Sequence, residues 1–230
     1  MSLPIHRPAP KVPQAARVER TTRQAIAQPP APVLDGCRLA LQKIGFPGAP
    51  SLGIASSIRG EGRSTVAVAS ALVLADYGVR TVLMELDFQN PSLASQMGIP
   101  SHPGLGEFLQ GSASWHEVLY PVSDEFFVLP AGTLSLSHPR ALLEVSKRDL
   151  LGVLRGRGCS IVADLPPLLG TGIGAQAASL FPDILLVVRA GMVSSATVKE
   201  AVSSLPTPPR VLLNGVSSSV PDWARRLAGL

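Results

Sequence analysis

Strand-length apolar runs alternate with longer segments of helical spacing through most of this chain. Residues 51–55, 81–86, 126–130, 160–163, 183–188 and 211–213 form the apolar runs. Between them, residues 64–77, 139–157, 174–180 and 194–204 read as helices, the second carrying Leu142, Leu143, Leu150, Leu151 and Leu154. Gly78 closes the first of these as a C-terminal cap, and a short helix over 35–46 precedes the first strand. Strands that are apolar throughout and alternate with helices predict an α/β fold. Its form is a doubly wound, mainly parallel sheet with helices on both faces, a Rossmann-like three-layer arrangement.

The pattern fails at the N-terminus. Residues 1–34 hold seven prolines and no sustained period, and read as a disordered basic arm preceding a domain over 35–230. The arm also carries the charge. The chain is +4 overall, and Arg7, Lys11, Arg17, Arg20 and Arg23 against Glu19 account for the whole excess. The domain is therefore neutral, which argues against a general nucleic-acid surface. Two distant cysteines, Cys37 and Cys159, and four histidines without ligand spacing argue against a metal framework and suit a reducing compartment. No apolar run approaches the length of a membrane span, so the expected location is cytoplasmic.

The first strand runs into Ser56-Ser57-Ile58-Arg59-Gly60-Glu61-Gly62-Arg63-Ser64-Thr65, and a helix follows. Strand, glycine loop and helix in that order make a setting in which backbone N–H groups cradle phosphates. Gly60 and Gly62 let the backbone approach a phosphate, and Ser64 opens the helix where its hydroxyl is a candidate Mg²⁺ ligand. The match to G-x-x-x-x-G-K-[ST] is incomplete. Ser57 stands at the first glycine and Arg63 at the lysine, a planar fork in place of a point charge. A glycine turn capping an ordinary helix is the competing reading.

Acids terminate two other strands. Glu85 and Asp87 end the second, and two-residue spacing puts them on one face of an extended strand. Asp164 follows Ile161-Val162-Ala163 and precedes Leu165-Pro166-Pro167. Burying such acids is costly without a cation or hydrogen bonds. In a parallel sheet, strand carboxyl ends are where ligands bind. Together with the glycine loop they predict a Mg²⁺-nucleotide site.

In these blocks, over residues 35–216, the chain resembles the cytoplasmic kinase domain of bacterial tyrosine autokinases, the BY-kinases of polysaccharide synthesis and export. These belong to the deviant P-loop ATPases that include MinD and ParA. Residues 56–65 are similar to the Walker A loop, Val82-Leu83-Met84-Glu85-Leu86-Asp87 with Asn90-Pro91-Ser92-Leu93 to Walker A′, and residues 161–167 to Walker B. Residues 104–111 and 128–132 resemble intervening blocks, and Leu213-Asn214 resembles the segment whose asparagine meets adenine.

The resemblance implies ATP and Mg²⁺ as cofactors. Gly60, Glu61, Gly62, Arg63, Ser64, Thr65 and Asn214 would bind nucleotide, and Ser64, Asp87 and Asp164 would hold the metal. Arg63, Glu85, Asp87 and Asp164 are the catalytic candidates, with Glu85 accepting a proton. Implied partners are a separate membrane-anchored polysaccharide co-polymerase or adaptor, recruiting the chain to the inner face of the membrane, and copies of the chain itself. The departures sit at the chemistry. Lysine is replaced by Arg63, the first Walker A′ aspartate by Glu85, and the arginine that commonly follows by Gln89. Of an acid-x-x-Arg-x-x-Arg oligomerisation motif, Asp35 and Arg38 remain but Leu41 takes the last place. The family's C-terminal tyrosine cluster has no counterpart, since the tyrosines are Tyr77 and Tyr120.

Two functions follow: a BY-kinase-like tyrosine kinase or ATPase of weakened activity in exopolysaccharide or capsule synthesis, and an inactive nucleotide-binding pseudokinase regulating the same assembly. A ParA- or MinD-like partitioning ATPase is a third reading. It is opposed by the neutral domain and by Ile58, where that group carries a signature lysine.

Overall fold

A computed structural model describes residues 28–45 and 51–216. Its elements run α1 (Ala31–Ile44), β1 (Ser51–Ser56), α2 (Arg63–Asp76), β2 (Thr81–Glu85), α3 (Leu93–Met97), α4 (Leu105–Gln110), α5 (Trp115–Val118), β3 (Tyr120–Pro121), β4 (Phe126–Leu129), α6 (His138–Lys147), α7 (Leu150–Arg155), β5 (Ser160–Asp164), α8 (Gly174–Ala178), β6 (Asp183–Arg189), α9 (Ser195–Ser203) and β7 (Arg210–Asn214). The strands form one sheet in the order β3-β4-β2-β5-β1-β6-β7. Every neighbouring pair is parallel except β3 with β4, a short antiparallel edge. The predicted α/β class, with a mainly parallel sheet between helical layers, is the fold observed.

Alternate residues of each central strand enter separate cores. Leu52, Ile54, Leu83, Val162, Leu185 and Val187 meet α1 and α2 on one face. Val82, Met84, Ile161, Ala163, Ile184, Leu186 and Val188 meet the helices from α4 onward on the other. This two-sided burial is why the strands read as unbroken apolar runs. Gly53 of β1 is needed at close range, because a Cβ there would lie 2.7 Å from Ile184 Cδ1 and 2.8 Å from Leu165 Cδ1.

Several boundaries differ from expectation for local reasons. Helix α1 begins at Ala31, inside the stretch read as the arm; Pro32 in its first turn lacks only an N–H that has no intrahelical partner there. The rest of the arm, residues 1–27, and the C-terminal residues from 217 onward lie outside the described residues. The helix expected over 139–157 is two, α6 and α7, broken where Asp149 turns left-handed at φ 46° and caps Gly152 N–H with its carboxylate. Helices α3, α4 and α5, of four to six residues, were not predicted; they are too short to carry a period. Among the described residues, no helix is long and apolar enough to cross a membrane.

Candidate functional site

The carboxyl ends of β1, β5 and β2 lie side by side, since β5 runs between the other two. Their register places Ile54 and Glu85 opposite Asp164 from either side. The glycine loop leaves β1, crosses this end and enters α2 through Gly62, whose φ is 90°. Gly60 is similarly left-handed at 87°, a backbone state that a side chain would strain. A Cβ on Gly62 would also collide with the Asn214 amide.

Two side chains brace the loop from below. Glu61 is fully buried, and its carboxylate accepts from Ile58 N–H at 2.8 Å and from Arg189 N–H at 3.2 Å. Asn214, at the end of β7, donates to the Glu61 carbonyl at 2.8 Å. The structure thus sets Glu61 and Asn214, both predicted to touch nucleotide, against the loop's own backbone. Arg189, missed in the sequence, donates to the Gly60 carbonyl at 3.3 Å. Its signal was available: a cation terminating an apolar strand, like the acids at the ends of β2 and β5.

Above the loop lies a cavity of about 320 Å³, lined chiefly by Arg59, Gly60, Gly62, Arg63, Ser64, Thr65, Asp87 and Asn90. Its floor is the N-terminus of α2, whose first turn contains no acid. Left-handed glycines, free helix N–H groups and flanking cations suit a nucleotide's phosphates. Arg59 was not predicted. It reaches across the rim, with Nη1 3.5 Å from Asp87 Oδ2.

Arg63 is the centre of the site, and it does not point freely into the cavity. Its guanidinium is wedged between two acids, Nε donating to Asp164 Oδ1 at 2.6 Å and Nη2 to Asp87 Oδ2 at 2.9 Å. All three are buried: the side chains are 10%, 0% and 1% exposed respectively. Burial opposes the Arg63 charge, but the two carboxylates outweigh it and push its pKa up. For Asp164 burial wins over Arg63 and the neighbouring Ser64 hydroxyl, so its pKa is raised.

The three predicted metal ligands, Ser64, Asp87 and Asp164, do converge. Their carboxylate oxygens, however, are largely taken. Asp164 Oδ1 and Asp87 Oδ2 accept from Arg63, and Asp87 Oδ1 accepts from Asn90 N–H at 3.2 Å. Only Asp164 Oδ2, a buried oxygen, lacks a partner. With Arg63 in this position the donor set does not fit a divalent ion, although the loop fits phosphate.

Glu85 departs furthest from expectation. Its partners differ from those of Asp87, although the strand geometry continues past Glu85: Leu86 N–H reaches the Asp164 carbonyl at 2.9 Å and Leu86 joins Val82 and Met84 in one core. Asp87 turns toward the glycine loop. Glu85 is fully buried and turns away, accepting from Ser92, Leu93 and Ala131 backbone N–H groups. Burial raises its pKa against the pull of those donors. It lines a second, smaller hollow with Pro91, His102 and Thr133 rather than the cavity over the loop. In the first helix, Asp35 and Arg38 pair with each other at 2.7 Å.

No protein-family model matches the chain. It is 31% identical over 161 residues to the succinoglycan biosynthesis transport protein ExoP of Rhizobium meliloti, covering 67% of this chain but 20% of that protein. It therefore spans only about a fifth of ExoP's length. Identity to the tyrosine-protein kinase CpsD of Streptococcus agalactiae is 27% over 179 residues, covering 75% of this chain and 77% of CpsD. The crystal structure of the VpsO kinase domain superposes with a TM-score of 0.74 at 25% identity, covering 81% of this chain and 95% of that one. MinD of Pyrococcus horikoshii, solved with Mg-ADP, matches with a TM-score of 0.55 at 22% identity over 77% of this chain and 76% of MinD, a likeness of fold. The chain is a divergent relative of the bacterial tyrosine-kinase domains of polysaccharide biosynthesis, within the MinD-like P-loop fold.

Proposed function

We propose that this chain binds ATP and ADP through the loop from Gly60 to Thr65 and serves an exopolysaccharide or capsule assembly complex as a nucleotide-responsive regulator. In this reading phosphoryl transfer is strongly reduced. The observation that carries the proposal is the Arg63 guanidinium pinned between Asp87 and Asp164. Transfer of a phosphoryl group depends on cationic groups that follow charge as it develops on the moving phosphoryl. An arginine held by two buried carboxylates is poorly placed to do so. Glu85, occupied with three backbone N–H groups, acts by positioning the 92–93 and 131 backbone and not as a proton acceptor. Backbone N–H groups at Gly62, Ser64 and Thr65 hold phosphate, and Arg59 adds charge at the rim.

The kinship to proteins named as a succinoglycan biosynthesis transport protein and a tyrosine-protein kinase supports the pathway assignment. A membrane-anchored co-polymerase or adaptor is the corresponding partner, and it would draw the chain to the inner membrane face. Calorimetric titration of the full chain with ATP and ADP, paired with release of label from γ-labelled ATP, tests the proposal. Binding with turnover no higher than that of an Asp164→Asn control is expected, with or without the partner's cytoplasmic segment. Turnover or phosphotyrosine well above that control would replace the regulator with an active kinase or ATPase. No binding of either nucleotide would remove the reading altogether.

A further inference from the structure

We infer that Arg63 takes the place of the divalent ion, so that this site binds nucleoside di- and triphosphates free of metal. The inference rests on the nucleotide-binding reading above and specifies the form of its ligand. A divalent ion at such a site links protein carboxylates to phosphate oxygens. Here one guanidinium already spans both carboxylates, at 2.6 and 2.9 Å. Two of its five N–H groups are used in doing so, which leaves three on a side chain that lines the phosphate cavity. Arginine is suited to this bridging because its fork matches carboxylate and phosphate geometry alike.

The charges agree. Asp87 and Asp164 supply two negative charges, and Arg63 with Arg59, 3.5 Å from Asp87, returns two positive ones. This pair of acids therefore carries no net charge of its own to attract a dication. The oxygens agree as well. Three of the four carboxylate oxygens are occupied, by Arg63 twice and by Asn90 N–H, and the fourth is the buried Oδ2 of Asp164. Magnesium requires near-octahedral oxygen coordination at about 2.0–2.1 Å and gives up its water reluctantly. To enter, it would have to expel the guanidinium from both partners and leave a buried cation unpaired, the costly way to break a buried pair.

The test is titration of the full chain with N-methylanthraniloyl-ADP, once in excess Mg²⁺ and once in EDTA. Dissociation constants that agree within about threefold are expected, less than the tenfold that corresponds to 1.4 kcal/mol. Arg63→Lys supplies the contrast. A lysine ammonium is a point charge on a shorter stem and lacks the planar fork that holds both acids while keeping N–H groups for phosphate, so the variant should bind the probe at least tenfold more tightly with Mg²⁺ than with EDTA. Mn²⁺ titration of the ligand-free protein, followed by the loss of the free-ion paramagnetic resonance signal, checks the same point without nucleotide. The native chain should show no saturable Mn²⁺ site at the protein concentration used. Probe binding by the native chain that falls tenfold or more in EDTA would overturn the inference while leaving nucleotide binding intact. So would a stoichiometric Mn²⁺ site abolished by Asp87→Asn. Absence of probe binding under both conditions would end both readings.

Discussion

At the scale of single residues, the site is organised by which polar group satisfies which. Arg63 neutralises two buried acids, so removing it leaves both without a counter-charge. Arg63→Ala is expected to lower stability by about 3–5 kcal/mol, seen as a drop in the urea midpoint with an unchanged slope. A variant as stable as the native chain would show that the acids find other partners. Glu85 supplies the second case. Its Oε1 accepts from Ser92 and Leu93 and its Oε2 from Ala131, so a glutamine would turn an NH₂ toward a backbone N–H. Glu85→Gln is expected to cost about 1–3 kcal/mol, measurable by calorimetric unfolding. The sequence exposed the acids at the strand ends but not their pairings. Arg63 and Asp164 are 101 residues apart, and Glu85 takes its partners from residues 92, 93 and 131 while Asp87 takes Arg63, contacts between distant segments that no local pattern records.

At the scale of elements, the long strands and α2 were legible because burial on both faces writes itself as unbroken apolar runs. The turns between them were not, since a left-handed Asp149 and helices shorter than two turns leave no periodic trace. The start of α4 shows what such a turn contains. Glu107 accepts from Gly104 N–H at 2.8 Å and from Thr133 N–H at 3.0 Å, joining the helix to the loop after β4. Burial would raise its pKa, but these N–H donors outweigh it and hold the carboxyl below its ordinary range. A depressed folded value means stability that is present above the unfolded pKa, about 4.3, and is lost as pH falls through the lower folded value. Glu107→Gln should therefore be less stable at pH 7 and converge with the native chain in strong acid. Parallel stability curves down to the lowest pH would contradict this.

At the scale of the whole molecule, packing of α1 over α2 seals Cys37, whose thiol burial pushes up to about 11. Burial raises Cys159 as well. A thiol kept neutral by the fold contributes stability that is intact below its unfolded pKa, about 8.5, and that declines as pH rises from there toward 11. A thiol-specific reagent at pH 8 should label both cysteines only as urea unfolds the chain, and rapid native labelling of Cys37 would mean that α1 does not stay docked. The sheet order has a consequence for synthesis. Strand β5 lies between β1 and β2, so neither of those earlier strands has its shared neighbour until residues near 160 have been made. A chain emerging from the ribosome therefore carries two apolar strands with open inner edges through the manufacture of about 75 further residues, an interval in which unpaired edges invite wrong partners. Arg63 leaves the ribosome with the loop and waits for Asp164, so completion of the ion triad marks the point at which the gap between β1 and β2 is filled, with β6 and β7 still to come.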